Sequence, residues 1–260
     1  FIKWIPYGST TNFSTEHASG STSQAANIME AVQIGSKLLL VDEDKSATNF
    51  MIRDAIMKKL IPSEPITPFT DRVIELSKKE KVSTILVIGG SSEYLGVADK
   101  IFMMNDFCMS DQTKLAGELG KNMGSVQDRP EPVDWSFRRI LQTNEFTTYP
   151  EESKTERLGV SDMGFIFFGD ERIDVRMLHH VVSSQQLDAI GFILRKIANS
   201  STESTIDIEE KVCYLYEQIK EEGLECVFSN FFADCGRFLD LPRKFEVLAV
   251  LYRMRLVEFQ

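Results

Sequence analysis

Lys37-Leu38-Leu39-Leu40-Val41-Asp42-Glu43-Asp44 is the stretch on which the fold turns. An unbroken aliphatic run without polar alternation reads as a parallel strand buried on both faces. It ends in three carboxylates, so acidic groups are expected at the C-terminal tip of that strand.

Working outward, residues 1 to about 24 are dense in Gly, Ser, Thr and Asn, the composition of a loop. A helix follows over Gln24–Ile34, with Ala25, Ile28, Met29 and Val32 at helical spacing and Gly35 where it would end. Beyond the acidic tip, helices are expected over Met51–Leu60 and from Asp71 to about Lys81. Between them lies a loop holding Pro62, Pro65 and Pro68, with Thr67 as cap and Pro68 as first helical residue. Ser83-Thr-Ile-Leu-Val-Ile-Gly-Gly90 repeats the aliphatic strand pattern, and Ala98–Met104 reads as a short third strand. Strands alternating with helices predict a parallel sheet in an α/β domain.

From about Thr113 to Gly159 periodicity is lost. Met163-Gly-Phe-Ile-Phe-Phe168 is then one strand-like run, followed by helical patterns at Val175–Ala198, Ile208–Glu222 and Pro242 to about Glu258. In the middle one, Val212, Leu215, Tyr216 and Ile219 form a stripe. The expected organisation is a core over 1–112, a connector over 113–160 and a mainly helical α+β domain over 161–260.

Composition narrows the class. The 260 residues are 43% hydrophobic and 26% charged, with 15 Gly and 8 Pro, which excludes collagen-like, coiled-coil and wholly disordered chains. A net charge of -10 sets a like-signed field against nucleic acid and anionic membranes, so any anion site must be local. Cys108, Cys213, Cys226 and Cys235 are far apart with no Cys-x-x-Cys pair, which favours reduced thiols in an intracellular protein. Aliphatic runs are too short to span a bilayer and the first residues lack the order of a secretion signal, so a soluble protein is expected. The chain opens Phe1-Ile2-Lys3 without an initiator Met, as a piece of a longer protein would.

Two features stand at an informative distance. Ser19-Gly20-Ser21 opens a helix, and Asp42 follows 23 residues after Ser19. A small-residue turn at a helix N-terminus offers backbone N–H groups and hydroxyls to an anion. A carboxylate at a strand tip can reach Mg²⁺ through water, and its neighbour can polarise an attacking water. Taken singly, the turn reads as a plain helix cap, and the carboxylates serve equally as caps for a following helix. Their coupled spacing favours Asp42 for the metal and Glu43 for the water, with Asp44 a lesser candidate.

Ala18-Ser19-Gly20-Ser21 resembles the signature turn of ABC-type ATPases. Leu38-Leu-Leu-Val-Asp42-Glu43 resembles their Walker B strand, and Ser46-Ala47-Thr48-Asn49 their D-loop. The strings ASGSTSQAANIMEA, LLLVDEDKSATNFMIRD, EPITPF and STILVIGGSSEYLGVAD are similar to the predicted ATPases of the ABC class, found in bacteria and some protists and including a trypanosome mitochondrial member linked to RNA editing. The resemblance implies a P-loop NTPase core with ATP, ADP and Mg²⁺ as cofactors, and a homodimer with ATP between two protomers. It implies Glu43 as the catalytic carboxylate and Asp42 as the Mg²⁺ group through water. Ser19, Gly20, Ser21 and Thr22 would act on the partner's nucleotide, with Asn49 at the dimer contact. Gly90 stands where the family generally carries a His that contacts the γ-phosphate, and no Gly-x-x-x-x-Gly-Lys-[Ser/Thr] string occurs, so that loop is expected upstream of Phe1. The function implied is Mg²⁺-dependent ATP hydrolysis driving a dimer open and closed around a client, in the cytoplasm or mitochondrial matrix. The missing His motivates an alternative, a nucleotide-gated RNA-binding or scaffold protein with slow hydrolysis.

Other residues read more plainly. His17 is a loop residue, and His179-His180, being adjacent on a helical pattern, are assigned no site. Arg53 reads as a salt-bridged surface arginine. Trp135, Phe137, Arg138 and Arg139 form a basic and aromatic cluster of the kind that stacks on single strands. Met103-Met104 and Phe165–Phe168 are expected in the core.

Overall fold

The computed structural model describes all residues except 6, 7, 11, 12, 14, 16, 121–130, 136, 137, 230–233, 235 and 260. The chain divides into two compact units, Phe1–Ser136 and Phe137–Gln260. Residues read from sequence as a connector are thus shared between them.

In the first unit, α1 (Gly20–Gln33) is followed by β1 (Leu38–Asp42) and a single 3-10 turn, Glu43–Lys45. Short helices α2 (Thr48–Met51), α3 (Ala55–Leu60) and α4 (Phe69–Glu75) lead to β2 (Ser83–Val87). β1 and β2 pair in parallel, from Leu38 opposite Ser83 to Asp42 opposite Val87. Leu39, on one face of the pair, packs with Ala25, Ile28 and Val32 of α1. The opposite face is open in this chain: Leu40 is 73% exposed and Val87 65%. Burial on both faces, expected from the unbroken aliphatic run, is therefore met on one face only.

Phe1, Phe50 and Phe69 anchor the core, with ring centroids 5.1 to 6.3 Å apart. The single helix expected over Met51–Leu60 is two helices. The chain is extended at Ile52, and Asp54 restarts it by accepting hydrogen bonds from the Ile56 and Met57 amides at 2.8 and 2.9 Å. Pro68, rather than Thr67, occupies the cap position of α4.

The third strand read at Ala98–Met104 does not join the parallel pair. It is β3 (Phe102–Asn105), which folds back on β4 (Cys108–Asp111) as an antiparallel hairpin. Asp106 and Phe107 make its two-residue turn, both at positive φ, the geometry that lets a tight turn match strand twist. Met103 and Met104 are exposed on this hairpin rather than in the core. Helix α5 (Thr113–Gly120) follows.

The second unit is less helical than the sequence reading held. β5 (Ile140–Gln142) pairs antiparallel with β9 (Thr205–Asp207), while β6 (Leu158–Ser161), β7 (Phe165–Phe168) and β8 (Glu171–Asp174) form an antiparallel sheet. Helices α6 (Ser184–Ser200), α7 (Ile208–Glu222) and α8 (Lys244–Leu251) share its core with Ile166, Phe168 and Ile173. α6 begins at Ser184, where the Ser183 side chain accepts from the Gln186 amide, so the first nine residues of the pattern read at Val175 lie outside the helix. Val212, Leu215 and Ile219 are buried as the stripe predicts. Tyr216, at its edge, donates from its hydroxyl to the Pro242 carbonyl at 2.8 Å. Phe165–Phe168 alternates: Ile166 and Phe168 are buried, whereas Phe165 and Phe167 are half-exposed on the other face.

Candidate functional site

The site is assembled by three short segments of the first unit. Ser19 is extended, its side chain accepts from the Thr22 amide at 3.2 Å, and its hydroxyl lies 3.0 Å from that of Thr22. This is N-cap geometry: it satisfies the Thr22 amide, while the Gly20 and Ser21 amides of the first turn have no acceptor within the helix. Ser19 and Gly20 are exposed, whereas Ser21 is buried.

Ser21 does not face solvent because its hydroxyl donates to Oδ1 of Asn49. One turn on, Gln24 performs the second part of the same staple. Its Oε1 accepts from the Ala47 amide at 2.9 Å and its Nε2 donates to the Ser46 hydroxyl at 2.9 Å. The Ser46 hydroxyl in turn donates to the Asp42 carbonyl at 2.6 Å. Helix α1 is thus pinned to the loop that leaves β1. Gln24 and Ser46 were not singled out from the sequence.

Asp42 and Glu43 stand at the tip of β1 with different tasks. Asp42 is exposed and its Oδ1 accepts from the Asp44 amide at 3.0 Å, capping the 3-10 turn. The capping alternative is therefore realised, and the second carboxylate oxygen remains available. Glu43 is half-buried, and its Oε2 accepts from the amides of Gly89 and Gly90 at 3.2 and 3.3 Å. Gly90 is thus brought against Glu43, and a Cβ added there would lie 3.9 Å from Oε1. Beneath this contact, Tyr94 donates to the Met51 carbonyl at 2.8 Å. Burial, with the negative charges of Glu43 and Asp71, raises the Tyr94 pKa and keeps its phenol protonated.

Among the described residues no group of three or more His, Cys, Asp or Glu is arranged to hold a metal ion. Asp42 fits Mg²⁺ as a single carboxylate, since that ion keeps several waters and takes further oxygens from phosphates. The remaining sequence candidates are placed as follows. His17 is exposed, and His179 and His180 are exposed outside any helix. Arg53 pairs with Glu64. The residues of the cluster at 135–139 are placed one by one. Trp135 packs edge-on to Phe1, Arg138 pairs with Asp207, and the Arg139 guanidinium lies over the Tyr252 ring, while Phe137 lies outside the described residues. None of the described helices is long and apolar enough to cross a membrane.

A helix-opening turn stapled to the tip of an acidic parallel strand accords with the class that the family comparison gives, a P-loop domain. Residues 1–137 match the family model described as the ABC ATPase P-loop domain, more than half of the chain, and the chain belongs to that family. Residues 157–260 match the model described as the MRB1590 C-terminal domain. A comparison with curated proteins found no match.

Proposed function

We propose that the protein binds and hydrolyses ATP with Mg²⁺ as an ABC-class homodimer, the nucleotide state opening and closing the dimer around a client. The observation that carries this reading is the staple between the Ser19 turn and the tip of β1. It ties the groups that would touch a partner's nucleotide to those that would serve the protein's own. In this reading Ser19, Gly20, Ser21 and Thr22 frame the γ-phosphate, Ser19 and Thr22 with their hydroxyls and Gly20 and Ser21 with helix-start amides, while the Ser21 hydroxyl stays engaged by Asn49, which sits at the dimer contact. Asp42 holds Mg²⁺ through water. Glu43 orients the attacking water with the oxygen that Gly89 and Gly90 leave free. When bound, Mg²⁺ would neutralise charge developing on the phosphates. The absence of a membrane-crossing helix among the described residues suits a soluble member, in the cytoplasm or mitochondrial matrix.

The test is Glu43→Gln, read by ATP turnover and ATP affinity. Turnover should fall at least a hundredfold while ATP affinity is kept, a size typical of a lost catalytic carboxylate. Unchanged turnover would remove the assignment.

A second reading, a nucleotide-gated RNA-binding or scaffold protein with slow hydrolysis, is favoured by the match over residues 157–260 and by Gly90 at the family's His position. Retained RNA binding without measurable turnover would select it.

A further inference from the structure

The sheet formed by β6, β7 and β8 has one face in the core and one in water. On the outer face, Phe167 stands between Gly159 and Arg172, and Phe165 between Ser161 and Asp174. Three guanidinium groups lie over the two rings. The Cζ of Arg172 is 3.8 Å from the Phe165 centroid, that of Arg176 is 5.1 Å from it, and that of Arg157 is 4.9 Å from the Phe167 centroid. All three arginines are exposed.

We propose that this face is a stacking platform for single-stranded nucleic acid, with bases lying on the Phe165 and Phe167 rings and their guanidinium partners and phosphates on the N–H groups of Arg157 and Arg172. The proposal rests on the second reading above and gives it a surface.

Four observations carry it. The two rings stand on alternate residues of one strand, whose backbone positions are about 6.8 Å apart, so they offer successive planar supports in a row. A guanidinium held over a ring keeps an outward plane and N–H groups for a base or phosphate. The charge is local: in a chain of net charge -10, Arg157, Arg172 and Arg176 gather over this face, where Asp174 stands opposite Phe165. That carboxylate, Asp174, is committed to Arg176 at 2.5 Å. Finally, Gly159 has no steric reason to be glycine, since an added Cβ would meet nothing within 4 Å, yet it leaves the flank of Phe167 uncovered. An acidic peptide would use the charges but has no row of planar groups to match the rings, which decides for a single strand.

The experiment measures fluorescence anisotropy of a labelled 12-nucleotide RNA of mixed sequence with the 260-residue chain, its R157E/R172E variant and its F167L variant, beside thermal melts. Phe167→Leu keeps apolar bulk and removes stacking, and should weaken binding about tenfold. The charge-reversed variant should bind at least tenfold more weakly while still melting cooperatively, because its replaced side chains are exposed and only their ring contacts are lost. Raising salt from about 50 to 200 mM should weaken the parent on the order of 7-fold for two phosphate contacts. RNA binding that survives R157E/R172E would overturn this surface and leave the RNA reading standing. No binding by the parent at low salt would overturn both. A polyglutamate peptide that competes as well as RNA, with F167L behaving as the parent, would also overturn the stacking platform, assigning the face to an acidic protein.

Discussion

The amide of Gly90 donates to Oε2 of Glu43 at 3.3 Å, joining the residue after β2 to the acid at the tip of β1. With the Gly89 amide on the same oxygen, the carboxylate ties the ends of the two parallel strands together. A charged acceptor of two amides contributes more than a neutral one. Glu43→Ala should therefore cost about 1–2 kcal/mol in urea denaturation, whereas Gly90→Ala, whose Cβ meets only ordinary contacts, should stay within about 0.5 kcal/mol. Equal costs for the two variants would show that the carboxylate is not holding these amides.

Gln24 is the second clasp. Gln24→Ala removes an acceptor for the Ala47 amide and a donor to Ser46, and should cost about 1–3 kcal/mol. The local signature is sharper than the global one: hydrogen exchange at the Ala47 amide should accelerate more than at core amides of β1. Protection unchanged at Ala47 would mean that the loop is held by other contacts.

Gly169 is a backbone requirement in the second unit. Its φ is +59°, and an added Cβ would fall 2.4 Å from the Thr147 carbonyl oxygen, a main-chain atom that cannot rotate away. Gly169→Ala should destabilise by more than about 2 kcal/mol, read as a drop in Tm.

Asp174 gives a pH test. The hydrogen bond from Arg176 lowers its pKa to about 2 from an ordinary 3.8. A depressed carboxylate pKa means a contribution present above pH 3.8 that is lost as pH falls through 2. The Asp174 carboxyl should titrate near 2 by NMR, and Arg176→Ala should return it toward 3.8. The stability difference between parent and variant should be flat above about pH 4 and shrink below it. The pair is exposed, so that difference is small.

What sequence made legible was whatever depends on local order. The run Leu38–Val41, the carboxylates behind it, the helix-opening Ser19 turn and the stripe of α7 each follow from periodicity, capping chemistry or spacing between neighbours in the chain. The strand at Phe102–Asn105 was found but misassigned, because its own residues do not encode the partner; the positive φ at Asp106 and Phe107 sends it into a hairpin.

Tertiary structure alone decided which groups meet. That Ser21 finds Asn49, that Gln24 reaches Ala47 and Ser46, and that Glu43 lies on Gly90 all depend on how α1, β1 and β2 pack, over separations of 22 to 47 residues. The same holds for the outer face of the β6–β8 sheet. Four consecutive residues, Phe165–Phe168, read as uniform core, and only strand pairing splits them into two buried side chains and two rings beneath arginines drawn from either side in sequence. Sequence determines the chemistry that each segment can offer. Pairing across the sheet determines which of it faces water, because side chains on a strand alternate sides and only the neighbouring elements decide which side is covered.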